Sequence, residues 1–158
     1  MSSDGCTLLF GALPVESRFS PEEKRVLKSF TRSLCRRVAG GRAFTCLITG
    51  DLELQRLNRQ FLGRDYATDV LSFPSQDGSD SLGEIAVSVE RAAAQAREFG
   101  HDCLNEIRIL MLHGVLHLTG MDHERDRGEM AQAERGWREK LDLPATLIER
   151  ACMGVARS

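Results

Sequence analysis

The sequence predicts an α+β fold: a small four-stranded mixed sheet packed with about five to six helices. Three observations lead there. Short runs that are β-branched, aromatic or alternating all fall before residue 90. Helical periods crowd the second half, so strands and helices do not simply alternate. The length, 158 residues, suits one domain spanning residues 1–158. A chain of that size buries roughly 68–70% of its unfolded surface, enough for a core without covalent staples.

Each element has a local reason. Cys6 to Phe10 is a short apolar run and reads as the first strand. Ser20-Pro21-Glu22-Glu23 opens a helix: Ser at the cap, Pro in the first turn, acids at the positive end of the dipole. It runs to about Val38, sets Leu27, Phe30, Leu34 and Val38 on one face, and stops at Gly40-Gly41. Ala43 to Thr49 is β-branched and short, a second strand. Asp51 can cap a helix to about Leu62, with Leu54, Leu57 and Phe61 inward and Gly63 ending it. Asp69 to Phe73 is a compact strand closed by Pro74, and residues 76–81 form a Gly/Asp/Ser loop. Gly83 to Val89 alternates, a half-buried strand with Ile85, Val87 and Val89 on one face. Glu90 to Phe99 is an Ala-rich helix capped by Gly100, and Leu104 to about Thr119 is a long apolar helix followed by Gly120. Asp126 to Leu141 is amphipathic, and Pro144 to Met153 reads as a short last helix.

Composition narrows the classes. At 42% hydrophobic and 28% charged residues with 4 Pro, the chain is neither collagen-like nor disordered. No apolar run approaches the roughly 20 residues of a membrane helix. The net charge of -2 excludes a uniformly basic nucleic-acid coat. The balance is nevertheless +4 over residues 1–66 and -6 over residues 67–158, so a polyanion would be met by a patch or through an ion. Lys24, Lys28, Arg32 and Arg36 follow i, i+4 spacing on the first helix, with Arg25 on the same side. They form either a solvated face or a phosphate track. The five cysteines are scattered without a CxxC pair, and the N-terminus lacks a basic stretch before its apolar run. No secreted disulfide framework is expected, and the expected location is a reducing cytoplasm.

The chemistry concentrates in His113-Gly114-Val115-Leu116-His117-Leu118-Thr119-Gly120-Met121-Asp122-His123, which holds three of the four histidines. His113 and His117 are i, i+4 on a helix, so both imidazoles leave one face and can converge on one ion. Gly120 permits the turn that returns His123 to them. Three protein ligands with one open position is the catalytic rather than the structural pattern; zinc is the default, and nickel, cobalt or copper also fit three imidazoles. The spacing equals that of the metzincin proteases, which makes this a zincin-like metal helix, but Gly114 stands where their general-base Glu would be. A standard zinc-peptidase mechanism is therefore disfavoured, and the missing bulk can leave room for substrate. Asp122 can orient a ligand imidazole, accept a proton, or simply stabilise the turn. Glu124 is a weaker candidate base. Trp137 and Tyr66 can stack bases or join the core.

This segment resembles the H-G-x-L-H-L-x-G-x-D-H signature of the YbeY family of bacterial endoribonucleases. Leu57-Asn58, Gly63, Asp65 and Thr68-Asp69-Val70-Leu71-Ser72-Phe73-Pro74 resemble a second motif of that family, and Leu82-Gly83-Glu84-Ile85 a third. The resemblance covers about residues 43–141. It implies a zinc-dependent endoribonuclease directed at single-stranded RNA, acting in ribosomal RNA maturation, notably at the small-subunit 3′ end, and in ribosome quality control. It implies one zinc ion per chain on His113, His117 and His123, ribosomal RNA or the ribosome as partner, and neither DNA nor a membrane. The family's usual Arg before this Gly is Leu62 here, and its Lys is Arg64. Arg64 and Arg59 can substitute in RNA contact, and Arg64 can hold the substrate phosphate. Thr68 and Ser72 can bring hydroxyls to the cleft or serve as strand-edge hydrogen-bond donors. Whether water or the ribose 2′-OH attacks phosphorus is open. Two other readings stand beside this one: a metalloprotease-like hydrolase with a distant base, and a non-catalytic zinc-binding factor on the ribosome.

Overall fold

A computed structural model describes residues 5–63, 68–76, 80–122 and 125–144. Strands β1 (Thr7–Phe10), β2 (Phe44–Thr49), β3 (Val70–Pro74) and β4 (Gly83–Ser88) form one sheet in the order β1-β2-β4-β3. β1 and β2 are parallel, β2 and β4 are parallel, and β3 runs antiparallel to β4. Five helices accompany it among the described residues: α1 (Pro21–Ser33), α2 (Asp51–Leu62), α3 (Val89–Phe99), α4 (Cys103–Leu118) and α5 (Glu129–Leu141). This is the expected α+β class with a mixed four-stranded sheet. The expected helix over Pro144–Met153 lies outside the described residues beyond its first position.

The caps set the boundaries. Ser20 and Glu23 form a reciprocal capping box at the start of α1. α1 passes into one wider π turn, Leu34–Val38, before Gly40 turns left-handed. Gly50, not Asp51, caps α2, and Asp51 instead occupies the first turn. α5 begins later than Asp126 because that side chain accepts from Gly128 N (2.9 Å) and Met130 N (2.9 Å), capping from outside the helix.

The main core lies on one face of the sheet, where α1, α3, α4 and α5 meet Cys46, Ile48, Ile85 and Val87. Leu27 and Leu34 are fully buried there, and truncating either to Ala would cost about 2–5 kcal/mol. A smaller cluster of Leu54, Leu71 and Ala86 joins α2 to the opposite face. β4 is therefore buried on both faces, with Ala86 at 3% and Ser88 at 0% exposure, rather than half-buried as its alternation suggests. α2 supplies the second cover, a partner that strand periodicity does not report. Phe61, expected inward, is 60% exposed and meets Phe73 edge-on at the end of α2.

Cys6, just before β1, and Cys35, in the π turn, are joined by a disulfide. Among the described residues it is a single bridge rather than a framework, and it departs from the expectation of reduced thiols. The pairing is set by β1 lying beside the end of α1, a proximity that spacing in sequence does not show.

Candidate metal centre

α4 is buried along almost its whole length, which holds its histidines rigidly. His113 is 6% exposed and His117 half-buried at the helix end. Their rings meet edge to face with centroids 4.7 Å apart, and the two Nε2 atoms lie 3.2 Å from each other. Each Nδ1 is engaged: His113 Nδ1 with Glu134 Oε2 of α5, and His117 Nδ1 with the Met121 carbonyl at 2.9 Å. A carboxylate and a carbonyl only accept, so both Nδ1 atoms carry the proton. In neutral imidazoles both Nε2 lone pairs then face the same gap, and a cation is what relieves that approach. The donor set thus fits a metal such as zinc.

Among the described residues no group of three His, Cys, Asp or Glu side chains is gathered to hold an ion. His123, the expected third ligand, lies outside the described residues, as do Glu124, Arg64 and Tyr66. An open depression of about 370 Å³ borders His117, lined also by Ser72, Pro74, Gly120, Met121 and Asp122. Of the remaining candidates, the structure brings Asp122 and Ser72 to this place. Asp122 is partly exposed and lies 3.5 Å from Arg125. The Ser72 hydroxyl donates to the Gly114 carbonyl at 3.2 Å, tying edge strand β3 to α4. Thr68 stays with its neighbour Asp69 at 3.5 Å. Arg59 is exposed on α2, across the sheet, and Lys24, Lys28, Arg32 and Arg36 are exposed on α1 and its π turn. The structure does not bring these five cations to the histidines.

Gly114 has a different reason from room for substrate. A Cβ there would sit 3.0 Å from Ile85 Cγ2 and 3.3 Å from Val70 Cγ2. The position faces the sheet, and the bare backbone lets α4 approach β4 and β3. A Glu here would enter the core instead of the depression, so the protease pattern fails on packing as well as on chemistry. Trp137 also differs from a base-stacking role: Lys140 Nζ lies 4.8 Å and Arg37 Cζ 5.9 Å from its ring centroid.

Glu134, 1% exposed, is the residue that sequence reasoning missed. A signal existed: it falls in the i, i+4, i+7 stripe of Met130, Trp137 and Leu141 on α5, where a carboxylate is out of place. Asp69, inside the second motif, is likewise buried, and Gln95 Nε2 of α3 donates to its Oδ2 at 3.1 Å. It anchors the start of β3 rather than facing the depression. The two free cysteines among the described residues are unreactive by environment. Burial pushes the Cys46 thiol far up, and burial with Glu106, Asp102 and Glu23 nearby raises that of Cys103.

Known proteins share this arrangement of sequence. A protein-family model described as Endoribonuclease YbeY matches residues 16–142. An Endoribonuclease YbeY of Solibacter usitatus is 55% identical over 149 residues, 94% of this chain and 97% of its own. One of Koribacter versatilis is 53% identical over 117 residues, 73% and 76% of the two chains. The solution structure of TM1509 from Thermotoga maritima superposes with a TM-score of 0.59 at 28% identity, covering 85% of this chain and 88% of that one.

Proposed function

Because the chain belongs to the Endoribonuclease YbeY family and is a hydrolase of RNA, we propose that it cuts single-stranded RNA with one zinc ion held by His113, His117 and His123. The biological substrate is ribosomal RNA, at the maturation of the small-subunit 3′ end and in ribosome quality control, within the cytoplasm. The observation that carries the reading is the pair of Nε2 atoms 3.2 Å apart, each with its opposite nitrogen committed, beside an open depression. Among the described residues no helix is long and apolar enough to cross a membrane.

A divalent ion supplies a lowered pKa for a water and polarises a phosphoryl oxygen. The chain's own residues prepare that chemistry. Glu134 holds His113 in the tautomer that leaves Nε2 free as a donor to an ion, and the Met121 carbonyl does the same for His117. Asp122 lines the depression and is partly exposed, which supports a role for it in taking a proton from the attacking oxygen. Arg64 holds the scissile phosphate, with Arg59 and the Lys24, Lys28, Arg32, Arg36 ridge guiding the strand.

Two measurements test this together. Elemental analysis should find about one zinc per chain, reduced in His117→Ala. The wild type should cut a single-stranded RNA in a chelator-sensitive way, and His117→Ala should lose about 100-fold or more. Pure protein that carries zinc yet leaves RNA intact, with ribosomal RNA ends normal in cells bearing only His113→Ala, overturns the reading.

A further inference from the structure

A cleft of about 680 Å³ separates α1 and its π turn from α4 and the end of α5. Four cations from these elements line it, Arg25, Arg37, Arg108 and Lys140, against two carboxylates, Glu22 and Asp142. Among the described residues none of the four is in an ion pair. Arg108 Nε is buried with no hydrogen-bond partner, although the same guanidinium donates to Asn105. A buried donor left unmade is costly, so an acceptor entering the cleft would gain what the fold leaves unused.

Three of the four cations are also held in place. Arg108 lies 5.7 Å over the Phe30 ring, and Arg37 and Lys140 both lie over Trp137. Rings that already position a guanidinium reduce the side-chain entropy lost on binding. Planar guanidiniums suit the paired oxygens of a phosphodiester. Arg108 and His117 are nine residues apart on α4, about 13 Å along its axis. A phosphate in the cleft is therefore not the one at the histidines.

We infer that this cleft binds the phosphodiester backbone of single-stranded RNA at a nucleotide removed from the scissile bond. The inference rests on the ribonuclease reading above, which supplies a polyanionic substrate. It assigns RNA contact to Arg25, Arg37, Arg108 and Lys140; Arg25, expected on the side of Lys24, Lys28, Arg32 and Arg36, instead lines the cleft, which those four do not.

The test is fluorescence anisotropy of a labelled 2′-O-methyl single-stranded RNA with the metal-loaded full chain, beside cleavage of ordinary RNA. Arg37 and Lys140 are exposed, so Arg37→Gln with Lys140→Gln should fold. The double variant should bind about tenfold more weakly, and the slope of log affinity against log salt should fall by about 1.4. Arg37→Lys with Lys140→Arg should restore most of the affinity. Arg18→Gln with Arg56→Gln removes the same charge elsewhere and should change affinity by less than about twofold. Wild-type affinity in the cleft double variant overturns the inference, as does an equal loss in the distant double variant. An Asp-rich peptide that binds the wild type more tightly than RNA, and loses that binding in the cleft variant, overturns it in favour of an acidic protein partner. Normal cleavage by the wild type with undiminished binding by the cleft variant sinks only the cleft. A wild type that neither binds nor cuts RNA sinks the ribonuclease reading as well.

Discussion

His113 of α4 and Glu134 of α5, 21 residues apart in sequence, are hydrogen-bonded across the core, Nδ1 to Oε2. The carboxylate is almost fully buried, and its other oxygen, Oε1, has no hydrogen-bond partner among the described residues. Such a carboxylate fixes which imidazole nitrogen is free to bind an ion. Glu134→Ala should weaken zinc binding by about 10–100-fold in competition with a chromophoric chelator. Glu134→Gln, which keeps an acceptor, should lose less. Equal affinity in all three proteins would show that Glu134 only packs.

Gly114 is the contact point of α4 with the sheet. Gly114→Glu would push a carboxylate between α4, Ile85 and Val70, combining overpacking with an unpaired buried charge. Urea denaturation should show a loss of about 3 kcal/mol or more, and the variant should hydrolyse no casein. A stable variant with peptidase activity would restore the protease reading.

Asp69 ties β3 to α3 through Gln95. Asp69→Ala should cost about 1–3 kcal/mol by leaving a buried amide unpaired. Hydrogen exchange should quicken first in β3. Uniform quickening across the sheet would contradict a local anchoring role.

The Cys46 thiol is raised above the ordinary value of 9.0 by burial. Above that pH the unfolded chain loses the proton while the folded one keeps it, so stability falls as pH rises. The slope is about 1.4 kcal/mol per pH unit for one such group. Cys46→Ala should flatten the decline of stability above pH 9.0, measured by denaturant titration at several alkaline values. An unchanged slope would mean that Cys46 ionises freely in the folded protein.

Much of this protein is legible residue by residue. Ser20 with Glu23, Gly63 and Gly100 mark helix ends because caps are local hydrogen-bond and backbone problems. The i, i+4 pair of His113 and His117 is legible for the same reason, since one helical turn sets their spacing. Phe61 departs from its expected inward position because a helical period says which residues share a face, not how far the facing layer extends. α2 outruns its cover, so Phe61 stays exposed while Leu54 is buried.

The amino-acid order alone thus establishes the elements, the pair of imidazoles and the family, all carried by neighbours within a few turns. Three-dimensional packing decides the rest. It sets the strand order that puts β4 between two covered faces and the approach of α4 to the sheet that Gly114 permits. It also sets the partner that Glu134 gives to His113 and the convergence of Arg37, Arg108 and Lys140 on one cleft. Those depend on contacts between residues far apart in the chain, whose distances no local propensity encodes. They arise only when several amphipathic faces bury their apolar sides together.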